Sequence, residues 1–190
     1  MTTRTIHATI FGNELELTTA NGVFSGTRLD LGTSVLLRTV EPPASGRVLD
    51  LGCGYGPIAL GLAVASPGIT VDAVDVNERA LALTRRNAEA LGVAERVNAT
   101  TPEGIAGDVR YDEIWSNPPI RIGKEALHEL LLRWLPHLGD DGVAHLVVSK
   151  NLGGDSLALW LSDQGWPTSK LASAKGFRIL TVRPGEQTDA

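Results

Sequence analysis

The chain has 190 residues and a formal net charge of -5, and its length is typical of one folded domain. Hydrophobic residues make up 43% of it and charged residues 21%, a balance that predicts a globular fold and excludes global disorder. Short apolar runs exclude membrane spans, the first residues lack a signal-peptide pattern, and a single cysteine, Cys53, excludes an internal disulfide. These features favour a cytoplasmic protein. The acidic balance argues against a general nucleic-acid coat but leaves room for a local basic patch.

The N-terminal part of the chain predicts a β-hairpin, a loop and a short helix. Apolar and polar residues alternate over residues 5–17, on either side of a Gly12-Asn13 dipeptide that suits a tight turn. Residues 23–30 are punctuated by glycine and predict an irregular segment. Residues 33–40 predict a helix that ends before Pro42-Pro43.

From Arg47 onward, strand and helix patterns alternate along the chain. Strands are predicted at residues 47–51, 69–74, 96–100, 111–116, 143–149, 167–172 and 177–182, and helices at residues 58–65, 78–91, 124–135 and 156–164. A turn is expected at residues 139–142, and another around Lys175-Gly176. This alternation predicts a mostly parallel sheet with helices on both faces, whose strands share one ligand crevice at their carboxyl ends.

A glycine-rich turn follows the first strand of this series. Gly52, Gly54 and Gly56 allow a sharp turn and a close approach of a ligand to the backbone. Their spacing is Gly-x-Gly-x-Gly, which differs from the dinucleotide-binding pattern Gly-x-Gly-x-x-Gly. Asp50, just before the turn, would oppose a pyrophosphate but can accept hydrogen bonds, directly or through water, from an ammonium group. The turn therefore favours a cofactor with an amino-acid end over NAD, and tight packing without a ligand is the alternative.

Two further polar residues follow predicted strands. Asp75 ends the second strand and can accept hydrogen bonds from both hydroxyls of a ribose; the alternative is a solvated charge at a helix start. Asn117 ends the fourth strand and precedes Pro118-Pro119, which stiffen the turn. The Asn117 side-chain oxygen and the Pro118 carbonyl can accept from one amine and aim its lone pair at an electrophile. A plain strand-ending turn is the alternative.

These motifs resemble the class I S-adenosylmethionine-dependent methyltransferases, and more narrowly the "methyltransferase small" domain family, which includes 16S rRNA guanine-N2 methyltransferases. The resemblance runs through nearly the whole chain: residues 22–33 resemble the lead-in segment, 48–56 the cofactor loop, 73–77 the ribose site, 116–124 the substrate turn, and 175–178 also fit. It implies an α/β, Rossmann-like, seven-stranded and mostly parallel sheet with helices on both faces. The last strand is expected to be antiparallel. A single domain is expected over residues 1–190, with an N-terminal β-hairpin extension over 1–45 and a cofactor-binding core over 46–190.

The same resemblance implies which residues form the site. S-adenosylmethionine is expected at Asp50, Gly52, Cys53, Gly54, Gly56, Asp75, Val76, Thr101, Pro102 and Asn117. The catalytic turn is expected to be Asn117, Pro118 and Pro119, and the substrate to meet Phe24, Arg28, Ile120, Arg121 and Lys150. Two positions depart from the family pattern: Thr101-Pro102 stands where an acidic residue is common, and Ile120 where an aromatic one is. No metal site is expected, because the four histidines lack ligand spacing.

The leading hypothesis is methyl transfer to an exocyclic base amine in RNA, with ribosomal RNA as the expected partner. Asn-Pro-Pro turns also occur in adenine-N6 and protein-glutamine methyltransferases, so the turn alone does not identify the acceptor. A protein-glutamine or small-molecule N-methyltransferase is therefore a second hypothesis. The third is a non-catalytic domain that binds the cofactor or RNA, which the complete Asn-Pro-Pro turn disfavours.

Overall fold

The computed structural model describes residues 2–24 and 26–186, apart from the side chain of Ile120. Two antiparallel strands, β1 (Thr3–Ile10) and β2 (Asn13–Ala20), form the N-terminal hairpin. The other strands are β3 (Ser45–Leu51), β4 (Gly68–Val74), β5 (Val97–Thr100), β6 (Tyr111–Ser116), β7 (Leu138–Ser149), β8 (Thr168–Ala174) and β9 (Phe177–Val182). The α-helices are α1 (Leu31–Thr39), α2 (Pro57–Ala65), α3 (Glu78–Ala90), α4 (Lys124–Trp134) and α5 (Gly154–Asp163).

The seven strands from β3 to β9 form one sheet in the order β5-β4-β3-β6-β7-β9-β8. Only β9 runs against the others, because it pairs antiparallel with both β7 and β8. The predicted fold class, including the antiparallel last strand and the N-terminal hairpin, is therefore confirmed. β3 lies inside the sheet: β4 and β5 follow on one side of it, and β6 and the later strands follow on the other. This reversal of strand order opens a crevice at the carboxyl ends of β3 and β6.

Helices cover both faces of the sheet, and each face has its own apolar core. One core joins α1, α2 and α3 to the hairpin, through buried residues such as Ile6, Leu36 and Leu60. The other joins α4 and α5 to the opposite face, through residues such as Leu131 and Leu157. Successive residues of a strand point to opposite faces, so both cores draw on the same strands. No helix within residues 2–24 and 26–186 has the length and apolar character to cross a membrane.

The predicted turn at residues 139–142 is wrong, because these residues belong to β7. Leu138 pairs with Tyr111 at the start of β6, and the register then shifts so that Val143 pairs with Glu113. A bulge of this kind accommodates extra residues without ending the ladder. The acidic side chains of Asp140 and Asp141 remain exposed there. The other predicted elements agree with the observed ones to within a few residues.

Asn87, in α3, ties the hairpin to the glycine turn. Its Nδ2 donates to the Thr18 carbonyl and to the Tyr55 carbonyl, both at 2.9 Å. Its Oδ1 accepts from the Thr18 backbone N–H at 2.8 Å. The side chain is 1% exposed, so water cannot replace these bonds if the amide is removed. This one side chain therefore holds the extension against the turn that precedes α2.

We expect Asn87→Ala to lower the free energy of unfolding by about 2–4 kcal/mol, because it removes the partner of one buried backbone group, the Tyr55 carbonyl, and of two partly buried groups of Thr18. Urea denaturation followed by far-UV circular dichroism measures the change. Asn151→Ala is a matched control, because Asn151 is exposed and its removal should change stability by less than about 0.5 kcal/mol. Equal stability of the two variants would contradict this structural role for Asn87.

Candidate active site

The glycine turn is fixed by hydrogen bonds to the end of β4. The amides of Gly52 and Cys53 both donate to the Val74 carbonyl, at 2.8 and 3.0 Å, and the Gly54 amide donates to Asp75 Oδ2 at 2.9 Å. Gly52 and Gly54 have φ of 78° and 58°, in the left-handed region that favours glycine. A Cβ on Gly54 would meet nothing within 4 Å, and one on Gly52 would meet only Pro119 Cδ at 3.8 Å. The space above this backbone can therefore receive a ligand.

Gly56 has a different surrounding from the first two glycines. It is buried, its φ is 96°, and a Cβ there would lie 2.9 Å from Leu60 Cδ1 and 3.0 Å from Thr84 Oγ1. It therefore allows the turn to pack closely against α2 and α3. Cys53 is also buried, at 4% exposure, and burial raises the pKa of its thiol.

Asp50 lies at the base of the glycine turn and is completely buried. Its Oδ2 accepts from the Ala59 backbone N–H at 2.9 Å, whereas its Oδ1 has no hydrogen-bond partner among the described residues. Burial raises the pKa of Asp50 from 3.8 to about 7; the Ala59 N–H opposes the shift and the charge of Asp75 adds to it. A positively charged group placed beside Asp50 would therefore favour the ionised carboxylate.

Asp75 and its neighbours line a cavity of about 230 Å³ beside the turn. Its Oδ1 accepts from the Asn77 backbone N–H at 2.9 Å, and each carboxylate oxygen keeps a further lone pair for another donor. The side chains of Val76 and Pro102 also line this cavity, and Val76 is 83% exposed. Thr101 precedes Pro102 but is not among the lining residues.

The Asn-Pro-Pro turn is held next to the glycine turn by Ser116, whose Oγ donates to the Leu51 carbonyl at 2.7 Å. Asn117 Nδ2 donates to Asp30 Oδ2 at 2.8 Å and to Thr33 Oγ1 at 3.0 Å. Asp30 also caps α1, because its Oδ2 accepts from the Thr33 backbone N–H at 3.0 Å. A carboxylate only accepts hydrogen bonds, so the Asn117 amide must turn its NH2 to Asp30. Its oxygen is thereby left to accept from another group.

A second cavity of about 540 Å³ meets the smaller one at Gly52, Asn117 and Pro119, which line both. Its wall includes Pro118, Arg121 and the neighbouring rings of Phe24 and Tyr55, which are tilted by 36° with their centroids 5.6 Å apart. Of the remaining site residues predicted from the sequence, Cys53 and Gly54 line this cavity, whereas Asp50, Gly56, Arg28 and Lys150 line neither cavity. The side chain of Ile120 lies outside the described residues.

A model of the "Methyltransferase small domain" family matches residues 14–181, which is most of the chain. The chain belongs to this family. The family predicted from the sequence is therefore confirmed, and the protein is a methyltransferase whose methyl donor is S-adenosylmethionine.

Members and structural neighbours of the methyltransferase small domain family cover the chain to different extents. An uncharacterised Bacillus subtilis protein, YbxB, is 32% identical over 173 residues, which are 90% of this chain and 86% of that protein. The Klebsiella pneumoniae ribosomal RNA small subunit methyltransferase C is 36% identical over 143 residues, 72% of this chain and 41% of its own length. The chain thus spans less than half of that relative. The structure of a T. thermophilus 16S rRNA N2 methyltransferase in complex with AdoMet and guanosine has a TM-score of 0.83 at 24% identity, over 96% of this chain and 50% of that one.

Three residues of this methyltransferase site were missed by sequence reasoning. Asp30 and Thr33 fix the Asn117 amide, and Tyr55, which lines the larger cavity, has a buried hydroxyl that lacks a hydrogen-bond partner among the described residues. Burial, with a smaller effect from Asp30, raises the pKa of Tyr55 above its usual range. An aspartate directly before an apolar helical run is a helix N-cap signal, so the sequence indicates the Asp30 cap but not its partner Asn117.

Within the described part of the chain, no group of three or more His, Cys, Asp or Glu side chains could hold a metal ion. Among the histidines, His145 is buried beside Glu113, with Nε2 3.5 Å from Glu113 Oε2. It lies in β7 and lines neither cavity of the site.

Proposed function

We propose that this methyltransferase transfers a methyl group to an exocyclic base amine in RNA, with guanine N2 of ribosomal RNA as the leading target. The observation that carries the proposal is the fixed orientation of Asn117 at the junction of the two cavities. Its NH2 group is committed to Asp30 and Thr33. Its oxygen can therefore serve as an acceptor for an amine that enters from the larger cavity.

Two features of the structure fit S-adenosylmethionine to the glycine turn. The backbone of Gly52 and Gly54 faces open space, and Asp50 Oδ1 is a buried acceptor without a partner among the described residues. Asp75, Val76 and Pro102 would hold the nucleoside end in the smaller cavity, and Asp50 would attract the amino-acid end. When bound, the cofactor supplies an electrophilic methyl group. We assign Thr101 and Gly56 supporting roles in the shape of this site.

The task of the protein is then to align the amine. The Asn117 oxygen and the Pro118 carbonyl can each accept one of the two amine hydrogens, which points the nitrogen lone pair away from both acceptors and toward the methyl carbon. The nitrogen becomes cationic as the new bond forms, so its proton can leave to water afterwards. This order makes a strong general base unnecessary.

Several observations favour a nucleobase as the acceptor. Phe24 and Tyr55 place an aromatic surface on the wall of the 540 Å³ cavity, and single bases commonly stack on such surfaces in RNA-binding proteins. The base must leave its stack to reach the Asn117 oxygen, so a single-stranded or flipped nucleotide is the expected substrate. Curated relatives named as ribosomal RNA methyltransferases support the same acceptor class. Arg121 and Lys150 are the expected phosphate contacts and Arg28 a weaker one.

We further propose that residues 1–190 act as one unit, with residues 1–45 as an extension of the cofactor-binding core at 46–190, and that the protein works in the cytoplasm.

The test compares acceptors directly. The purified chain is incubated with S-adenosylmethionine carrying a labelled methyl group and with either total RNA or an RNA-free protein extract from cells that lack the protein. Label in RNA, recovered as N2-methylguanosine after nuclease digestion and mass spectrometry, is the expected result. Label in protein or in small molecules alone would favour the protein-glutamine or small-molecule hypothesis. Cofactor binding without any labelled product would favour a non-catalytic domain.

A further inference from the structure

The carboxyl edge of the sheet has an uneven distribution of charge. Across β6, β7, β9 and β8, the segments at this edge carry five cationic side chains, Arg121, Lys124, Lys150, Lys175 and Arg178, and two anionic ones, Glu125 and Asp155. A sixth cation, Lys170, lies within β8, and its charge acts on Asp155. Across β4 and β5, the corresponding segments carry Asp75, Glu78 and Glu103 against the single cation Arg79. A chain with a net charge of -5 thus has a basic half next to its active site.

The basic residues lie on neighbouring segments. Arg121 follows β6 and lines the larger cavity, and Lys150 follows β7 directly. The Lys150 backbone N–H donates to the Gly176 carbonyl at 2.8 Å, which places Lys150 beside the β8–β9 turn that carries Lys175. These strands are neighbours in the sheet, so the row from β6 to β8 extends roughly 15 Å at the usual strand spacing.

Most of these charges are not neutralised locally. Arg178 Nε donates to Asp155 Oδ1 at 3.0 Å, and this bond, followed by the charges of Arg178, Lys170 and Lys150, lowers the pKa of Asp155. Several cations therefore share one carboxylate. Arg121, Lys150, Lys170 and Lys175 are exposed, and no carboxylate among the described residues lies within 4.0 Å of their charged groups.

We propose that the row Arg121, Lys150, Lys175 and Lys170 binds the phosphate backbone of the nucleotides that flank the methylated base. The proposal rests on the RNA acceptor proposed above and names the surface that holds that RNA. The row begins at the cavity lined by Asn117 and leads away from it over β7 and the β8–β9 turn, so a single strand could follow it while one base enters the cavity. Because these contacts are ionic, they bind RNA without regard to sequence and weaken steeply with salt.

The test uses the full chain and a fluorescein-labelled, mixed-sequence single-stranded RNA of about 20 nucleotides, titrated at roughly 50 to 200 mM KCl. The double variant Lys150→Gln/Lys175→Gln should bind at least about ten-fold more weakly at low salt, and its plot of log affinity against log salt should lose about 1.4 of slope, or 0.7 for each phosphate contact removed. Both substitutions remove the charge and keep a polar side chain that is one atom shorter, and the backbone N–H of Lys150 still reaches Gly176. Thermal unfolding of the variant should match that of the unchanged chain.

The matched control is Arg38→Gln/Arg86→Gln, which makes the same change in net charge on α1 and α3, away from the row. It should leave both the affinity and the salt slope nearly unchanged.

Equal weakening by the two double variants would overturn the proposal, because only net charge would then matter. Equal competition by poly-glutamate would also overturn it, since the surface would then favour an acidic protein. If RNA is methylated but Lys150→Gln/Lys175→Gln changes neither binding nor slope, this row fails while the proposed function stands. If no RNA is methylated, the proposed function itself fails.

Discussion

Replacing Asn117 with alanine should reduce the turnover number for methyl transfer about 100-fold or more, which is the size of effect seen when one aligned hydrogen-bonding group is lost from an active site. The amide oxygen is the group that Asp30 and Thr33 leave available to an incoming amine. Without it the amine keeps only the Pro118 carbonyl, and its lone pair is no longer aligned. Cofactor affinity should change little. Initial rates with labelled cofactor, together with calorimetry of cofactor binding, separate these two quantities.

A second variant distinguishes orientation of the amide from its mere presence. Asp30→Asn retains an acceptor for the Thr33 N–H, but its own NH2 could donate to the Asn117 oxygen, so the Asn117 amide is no longer held in one orientation. Turnover should fall about ten-fold, a smaller loss than in Asn117→Ala, because a fraction of the molecules keep the productive orientation. Asn151→Ala serves as the inert control on the exposed surface. Near-normal turnover in Asn117→Ala would remove the proposed alignment role.

Some parts of the site are determined by the local sequence. Periodicity and turn residues predict where a strand stops to within a few positions, and Asp75 and Asn117 do follow β4 and β6 directly. The cap of α3 is equally local, because Asn77 Oδ1 accepts from the Arg79 N–H two residues away at 3.0 Å. The parallel arrangement then brings such ends to one edge. This part of the prediction needed no knowledge of tertiary contacts.

Contacts between distant parts of the chain could not be predicted in the same way. The bond from Asn117 to Asp30 joins positions 87 residues apart, and those from Asn87 to Thr18 join positions 69 residues apart. Periodicity within a window carries no information about such pairs. The sequence also could not show that Lys150 lies beside the turn at Lys175, because that proximity comes from the order of strands in the sheet. Roles assigned to these residues therefore depend on the fold.

The buried carboxyl of Asp50 predicts a pH dependence with an unusual sign. Its pKa in the folded protein is about 7, against 3.8 ordinarily, chiefly because burial disfavours the charged form. Between about pH 4 and pH 7 the unfolded chain is ionised at this position while the folded chain keeps its proton, so folding takes up a proton and stability falls as pH rises. Above about pH 7 both forms are ionised and this contribution becomes constant. The full cost is at most about 4 kcal/mol, from roughly three pKa units at 1.36 kcal/mol each.

Asp50→Asn should therefore stabilise the cofactor-free protein by about 1–3 kcal/mol at about pH 8, because the buried charge is removed while an oxygen remains for the Ala59 N–H. The gain is less than the full cost of the charge, because the new NH2 lacks a partner. The same change should weaken cofactor binding about ten-fold at that pH, because the carboxylate that attracts the ammonium group is lost. In the unchanged protein, cofactor affinity should accordingly rise as pH increases through 7. Urea denaturation and calorimetry with S-adenosylhomocysteine across this range measure both effects.

Asp72→Asn is a control for which we expect the opposite change in stability. Asp72 is also buried, at 4% exposure, but its Oδ2 lies 2.8 Å from Arg47 Nη2 and accepts from the Tyr111 hydroxyl at 2.8 Å. Removing a partnered carboxylate should destabilise the protein by about 1–3 kcal/mol, with little effect on cofactor affinity because Asp72 lines neither cavity. If Asp50→Asn destabilised the protein as Asp72→Asn does, Asp50 would have to be ionised and partnered in the folded state. The gain of stability with loss of affinity would instead mark Asp50 as a group whose burial opposes folding and favours the ligand.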